Sequence, residues 1–483
     1  MTRSVLTLLL LFLYTQTIGQ TKVSSVYTTP TENWIDGQPV QISKATHEPQ
    51  AEVYLSQPLQ SIEGFGTCFN ELGWTSLSLL TEKDRETILR EMFSPGVGAN
   101  FTICRMPVGA NDFSTNWYSY NETPGDFDMK HFTIAHDKET LIPFIHAAQR
   151  YNPRLKIWAS PWSPPSWMKY NGHYAARSVL GNADFISEEW GMDLRGINNG
   201  LAPEKEGKEG TDMFIQEEKY FKAYTLYFKR FVEAYRKEKI NIQMVMPQNE
   251  FNSAQVFPSC TWTAAGLTNF VSYLGPAMKE EGVALYFGTM ERGNHKLVDT
   301  LLTDPRTKPF VSGVGFQWAG KDAIAAIHQQ YPNLSLYQTE QECGNSKNDW
   351  KHCLHAWDLM KHYLTNGASA YMYWNTSLKQ GGISTWGWKQ NSLVSVDTVN
   401  RSYTYNPEYY LLKHVSHFVK PGARLLATSG QFSDMLAFLN PDKSVVIVVA
   451  NQSKETKTYT IRMGEKEIRP ILKPESFYSF HIQ

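Results

Sequence analysis

Three absences narrow the reading of this sequence. Charge is nearly balanced, with 46 Lys and Arg against 47 Asp and Glu. No basic surplus exists to neutralise a phosphate backbone, so nucleic acid is not an expected partner. Cysteine is scarce: Cys68, Cys104, Cys260, Cys343 and Cys353 are widely scattered and lack the paired close spacing of a zinc site. Five thiols allow at most two disulfides, with Cys343 and Cys353 a candidate pair, and isolated buried thiols are the expectation. No metal motif is visible. Beyond the N-terminal segment no run of 18 uninterrupted apolar residues occurs, so no membrane-spanning helix is expected after it.

What is present begins with a targeting signature. Arg3 supplies a positive start, Val5 to Tyr14 an apolar stretch too short to span a bilayer, and Thr17-Ile18-Gly19 small residues ahead of Gln20. Residues 1–19 therefore read as a signal peptide, which implies a secreted, periplasmic or extracellular mature chain. No Cys lies near the cut, which argues against a lipid anchor there. Aromatic residues make up 13% of the chain, including 14 Trp and 25 Tyr. Such rings serve a large core or stack on the apolar faces of sugars, and composition alone leaves both readings open.

The middle of the chain alternates short apolar runs with longer helical or loop segments. Eight runs are seen, at 61–66, 101–107, 155–162, 242–250, 284–290, 311–318, 335–342 and 368–375. Strand alternating with helix implies a parallel sheet, and eight repeats imply closure into a barrel. Between the third and fourth runs, Phe221, Tyr224, Phe228, Phe231, Val232 and Tyr235 recur at helical spacing within 217–239, the pattern of an outer-ring helix. A polar, Gly- and Asn-rich insertion at 170–212 precedes it, longer than an ordinary connection and on the presumed active face. After 396 come a helical segment at 405–418 and strands at 435–439, 444–450, 457–462 and 477–481. The expected architecture is α/β: a (β/α)8 TIM barrel at 60–400 with an appended β-sandwich built from both chain ends, 20–59 and 401–483.

Reactive groups of such barrels sit at the C-terminal strand tips. The fourth run ends in Met246-Pro247-Gln248-Asn249-Glu250, and the seventh in Thr339-Glu340-Gln341-Glu342. Glycoside hydrolysis needs two carboxyl groups flanking one bond, which tips four and seven can supply as Glu250 and Glu340. Residues two apart on a strand share a face, so spacing does not separate Glu340 from Glu342.

Several motifs together resemble glycoside hydrolase family thirty, the glucosylceramidase and endo-β-1,6-glucanase family. They are Gly64-Phe65-Gly66, Arg105-Met106-Pro107, Asp112-Phe113-Ser114, Ala159 to Lys169 with its Ser-Pro-Trp-Ser-Pro-Pro-Ser-Trp core, Asn249-Glu250, Thr339-Glu340 and Trp374-Asn375. The resemblance implies a retaining β-glycosidase with Glu250 as acid/base and Glu340 as nucleophile, acting without a cofactor. It also implies that Asn249 binds the sugar 2-hydroxyl, that Arg105 holds the nucleophile, and that Trp162 and Trp374 pack on the sugar, with Asn375 beside them. Glu71 stands where the family carries an acidic sugar-binding residue. Trp318 ends the sixth strand, and Trp386 and Trp388 occupy a Gly-flanked loop suited to a sugar platform; Asp112 is read as fixing its loop. One departure is clear: where glucosylceramidases carry His before this Trp and an aromatic after it, the chain has Phe316-Gln317-Trp318-Ala319. That altered wall favours a β-glucan, β-1,6-linked, as substrate. Glucosylceramide is the alternative, and a non-catalytic carbohydrate-binding protein a further one.

Overall fold

The computed structural model describes residues 22–483; the predicted signal segment 1–19 lies outside them. Eight parallel strands form a closed barrel: β1 (Gly64–Cys68), β2 (Ile103–Pro107), β3 (Lys156–Ser160), β4 (Ile242–Val245), β5 (Ala284–Met290), β6 (Val311–Phe316), β7 (Ser335–Gln338) and β8 (Ala368–Asn375). Pairing of β8 with β1, Ala370 against Gly64 and Met372 against Gly66, shuts the ring. These strands are almost wholly buried because helices cover the outside and side chains fill the inside. Closure brings backbones close: a Cβ on Gly66 would lie 1.6 Å from the Ile103 carbonyl oxygen, so only glycine fits there.

Each of the eight expected strands is present, but β4 and β7 stop at Val245 and Gln338, short of the acids. Glu250, Glu340 and Glu342 therefore sit on the loops beyond the strand tips, and the same-face argument for Glu340 and Glu342 does not apply. The predicted outer helix runs Glu218–Lys237, with Phe221, Tyr224, Phe228, Phe231, Val232 and Tyr235 all buried. It packs through Phe221 and Tyr224 onto Phe270 of the next helix, Ala264–Glu280.

The second domain is one ten-stranded sheet whose order interleaves both chain ends. Val23–Thr28 pairs with Ser476–Ile482, and Ala51–Ser61 pairs with Arg424–Gly430. Two details differ from expectation. The run 457–462 splits into Lys457–Thr458 and Ile461–Met463, and the latter pairs parallel with Ala51–Ser61, so the sheet is mixed. Strand Arg424–Gly430 is an addition to the expected set. Val53, Ile447, Val449, Ile461 and Phe480 form a separate core. Helix Pro407–Ser416 joins the domains: buried His414 bonds Thr28 at 2.9 Å and Ser479 at 2.8 Å.

All five cysteines are free and buried, Cys343 and Cys353 included. No helix among the described residues is long and apolar enough to cross a membrane.

Candidate active site

A cavity of about 450 Å³ opens at the C-terminal end of the barrel strands, within the size range of small-ligand sites. Its floor is organised by Arg105, which projects from the buried strand β2 and is fully inaccessible to solvent. Every N–H direction of its guanidinium finds an acceptor: Ser160 Oγ at 2.8 Å, Asn249 Oδ1 at 2.6 Å, Glu340 Oε2 at 2.9 Å and the Thr339 carbonyl at 3.3 Å. Three indoles box the cation, with Trp162 at 4.3 Å, Trp158 at 5.0 Å and Trp374 at 5.5 Å. A buried guanidinium so completely paired is a fixed electrostatic post.

Glu250 and Glu340 meet across one amide. Gln317 Nε2 donates to Glu250 Oε1 at 2.9 Å and to Glu340 Oε2 at 3.1 Å. The two bridged oxygens can thus be no farther apart than the sum of those lengths, about 6 Å, so both carboxyl groups reach a single sugar ring. The amide cannot flip usefully, because Gln317 Oε1 accepts from Thr339 Oγ1 at 2.9 Å. Asn249 is similarly oriented: its Oδ1 accepts from Arg105 and from Thr289 Oγ1 at 3.1 Å, which leaves Nδ2 as the end available to a ligand. Glu250 and Trp318 both have φ of 47°, a left-handed conformation that costs energy in non-glycine residues and is held by the surrounding contacts. For Glu250 the backbone N–H is pinned to Thr289 Oγ1 at 2.9 Å.

Five acids line this cavity: Asp112, Glu250, Glu291, Glu340 and Glu342. Burial and the Glu250 charge push Asp112 up to about 7 and Glu291 up to about 8. Glu250 is also raised by burial, against the Gln317 N–H and the Arg105 charge. Burial raises Glu340 still more strongly, opposed by Arg105. Asp112, Glu250, Glu291 and Glu340, all raised by burial, cannot all ionise in so small a space. Arg105 touches Glu340 alone among them, and this contact favours the negative charge on Glu340 over its neighbours. Glu342, at the same cavity, has its own partners: it bonds Lys321 at 2.8 Å and His355 at 3.0 Å, and these contacts hold it below the usual carboxylate range despite its burial. This geometry distinguishes the two glutamates that spacing left open.

The expected site residues divide. Arg105, Trp162, Asn249, Glu250, Trp318, Glu340 and Trp388 converge on the cavity or its floor. Trp374 lies fully buried behind Trp162, with ring centroids 5.2 Å apart, and its indole N–H has no hydrogen-bond partner. Three residues do not converge. Glu71 begins the helix Glu71–Leu77, and its carboxylate is engaged by Thr115 N at 3.0 Å, His136 Nε2 at 2.8 Å and Thr140 Oγ1 at 3.1 Å. It ties the 112–140 loop to the barrel and has no lone pair left for sugar. Asn375 bonds Asn70 and Gln390, both at 2.9 or 2.8 Å, beneath the cavity wall. Trp386 turns away and donates to the Tyr174 hydroxyl at 3.2 Å.

Conversely, Asp112, read as a loop-fixing residue, faces the cavity with Oδ1 unpartnered. Its motif Asp112-Phe113-Ser114 was the available signal. Gln317 stands out in the sequence only as a departure from the glucosylceramidase pattern, and Glu291, at the tip of β5, carries no motif signal at all.

Comparison with known proteins agrees with this geometry. Residues 62–189 and 204–419 match the model of the glycosyl hydrolase family 30 TIM-barrel domain, and 422–480 that of the family 30 beta sandwich domain. The chain belongs to glycosyl hydrolase family 30 and is a β-glycoside hydrolase. The putative glucosylceramidase 2 of Caenorhabditis elegans is 27% identical over 454 residues, 86% of this chain and 81% of that one. An endo-1,6-beta-D-glucanase of Aspergillus fumigatus is 25% identical over 440 residues, 84% and 82% of the two chains. The solved structure of SrfJ from Salmonella typhimurium has the same fold, with a TM-score of 0.81 at 23% identity, covering 95% of this chain and 99% of that one.

Proposed function

We propose that this enzyme is an exported retaining β-glucosidase acting on β-glucan, with β-1,6-linked chains the favoured substrate. The observation that carries the mechanism is the bridging of Glu250 and Glu340 by one Gln317 nitrogen. In the first step the Glu340 carboxylate attacks the anomeric carbon as the bond to the glycosidic oxygen breaks, and Glu250 gives that oxygen its proton. A glycosyl-Glu340 ester results. In the second step Glu250 takes a proton from water, which attacks the same carbon and frees Glu340. Asn249 Nδ2 faces the 2-hydroxyl, where a hydrogen bond strengthens as the ring flattens. Asp112, with Oδ1 unpartnered, takes the hydroxyl-binding place that the family resemblance implies for Glu71, and Trp162 packs on the ring face.

Gln317 and Ala319 support the glucan reading, as does the likeness to a fungal endo-1,6-glucanase. The neutral amide stands between the acids and the small Ala319 opens the wall beside Trp318. One observation favours glucosylceramide instead: Leu180, Phe185 and Ile186 are 56%, 45% and 49% exposed on the 170–212 insertion, an apolar fringe of the kind that meets lipid.

Turnover of linear β-1,6-glucan, with the product profile and the anomer first released followed by NMR, tests both parts. Release of the β anomer from β-1,6-glucan is expected. First release of the α anomer overturns double displacement. Hydrolysis of glucosylceramide in detergent micelles without action on the glucan selects the second reading.

A further inference from the structure

The family model leaves residues 190–203 unmatched, yet this stretch reaches the cavity. A short hairpin pairs Ile186–Ser187 with Met192–Asp193, and Phe185, Trp190 and Met192 line the opening. The hairpin is anchored to the loops that follow β7 and β8. Lys389 N donates to the Gly191 carbonyl at 2.6 Å, Asp193 N to Gly387 O at 2.9 Å, and Asn345 Nδ2 to Glu188 O at 2.8 Å. Gly191, with φ of 66°, makes this possible, since a Cβ there would lie 2.1 Å from the Lys389 carbonyl oxygen.

Anchoring sets Trp190 opposite Trp318, with ring centroids 6.5 Å apart. Trp318 continues to Trp388 at 6.2 Å, and Trp388 to Phe257 at 5.9 Å. These rings form an aromatic alcove distinct from the floor that Arg105, Trp162 and Asp112 build. Trp190 is 54% exposed, an unusual state for so large an apolar group held in a fixed backbone. The alcove is also polar at two points: Trp388 Nε1 and Glu291 Oε2 are buried with no partner. A hydrocarbon leaving group would leave both unsatisfied, a desolvation penalty with nothing to offset it. A pyranose offers C–H faces for the rings and hydroxyls for the indole N–H and the carboxyl.

We infer that Trp190, Trp318, Trp388 and Glu291 form a leaving-group subsite that holds a glucosyl unit, with its outer wall supplied by the insertion that the family model leaves out. This deepens the glucan reading and rests on it. The subsite determines which leaving sugars are accepted without taking part in bond cleavage.

The test compares two substrates in the wild type and Trp190→Ala. β-Glucosyl fluoride has a leaving group too small to reach the alcove, whereas a β-1,6-linked glucotetraose fills it. The variant is expected to lose at least about tenfold more kcat/KM on the tetraose than on the fluoride. Added gentiobiose, acting as acceptor, should speed fluoride turnover in the wild type and much less in the variant. Because Trp190 is half exposed, its truncation leaves the core intact, and an unchanged melting curve checks this. Equal losses on both substrates overturn the subsite, as does a wild type that cleaves the fluoride but not the tetraose. A wild type that turns over neither overturns the glucosidase reading, and the subsite with it.

Discussion

Arg105 and Glu340 form an ion pair at 2.9 Å in which the guanidinium is wholly buried and the carboxylate 6% exposed. Breaking such a pair by removing one partner leaves an uncompensated charge in a dry site, at a cost of about 3–5 kcal/mol. Arg105→Met should therefore lower the melting temperature as well as abolish turnover, whereas Glu340→Gln, which keeps an acceptor oxygen for Arg105, should lose activity with a smaller loss of stability. Calorimetry and β-glucosyl fluoride kinetics on both variants check the split.

Glu340→Gln should cut kcat by at least about a thousandfold, and Glu342→Gln by no more than about tenfold. The latter breaks contacts to Lys321 and His355 but touches neither Arg105 nor Gln317. Recovery of Glu340→Gln activity by added azide, with the inverted glycosyl azide as product, would identify the attacking group. The reverse ranking of the two variants would reassign it to Glu342.

Gln317→Met removes an N–H that stabilises both carboxylate anions. With that donor gone, each acid holds its proton to higher pH. The acid limb of the rate profile, where Glu340 must ionise, and the alkaline limb, where Glu250 must stay protonated, should both move up, with kcat/KM falling about 10–100-fold. A profile that falls in height without moving would show that Gln317 only positions the pair.

Asp112→Asn should weaken sugar binding and turnover by about 10–100-fold with the fold intact. Glu71→Gln should instead reduce stability by about 1–3 kcal/mol. Its pH dependence follows from the partners. Burial pushes Glu71 up, but contacts led by His136 bring it net below 4.5, and the Glu71 contact raises His136 above 6.5. The Glu71 share of the stability is present above 4.5 and fades as pH falls through its depressed value. The His136 share is full below 6.5 and fades as pH rises through its raised value. The stability gap between wild type and Glu71→Gln should thus be widest between 4.5 and 6.5, as chemical denaturation across pH would show.

The five buried thiols should resist a thiol reagent in the native protein and all react once it is unfolded. A slow native reaction of Cys343 or Cys353 would indicate local opening near the β7 loop.

The barrel was legible because burial on both faces makes its strands continuous apolar runs, and strand ends in such a fold announce the reactive tips. The sheet domain was less so. Lys466–Ile468 and Ile471–Leu472 are three and two residues long, below the length at which alternation speaks. The acids show a different limit. Glu71 and Asp112 are both carboxylates near strand tips, and what separates them is a histidine 65 positions from Glu71. Trp386 and Trp388 share one loop, but Gly387, with φ of 80°, turns them to opposite sides. Partners distant in sequence and single torsions of this kind leave no periodic trace.

The first described strand, Val23–Thr28, pairs along its length with Ser476–Ile482, and its only other strand partner is the two-residue Ile35–Asp36. During synthesis it therefore emerges hundreds of residues before its main partner exists. That edge of the sheet is therefore complete only when the last strand of the chain has joined it. Trimming a dozen residues from the C-terminus should release the front of the chain as well, visible as early protease cuts near Lys22.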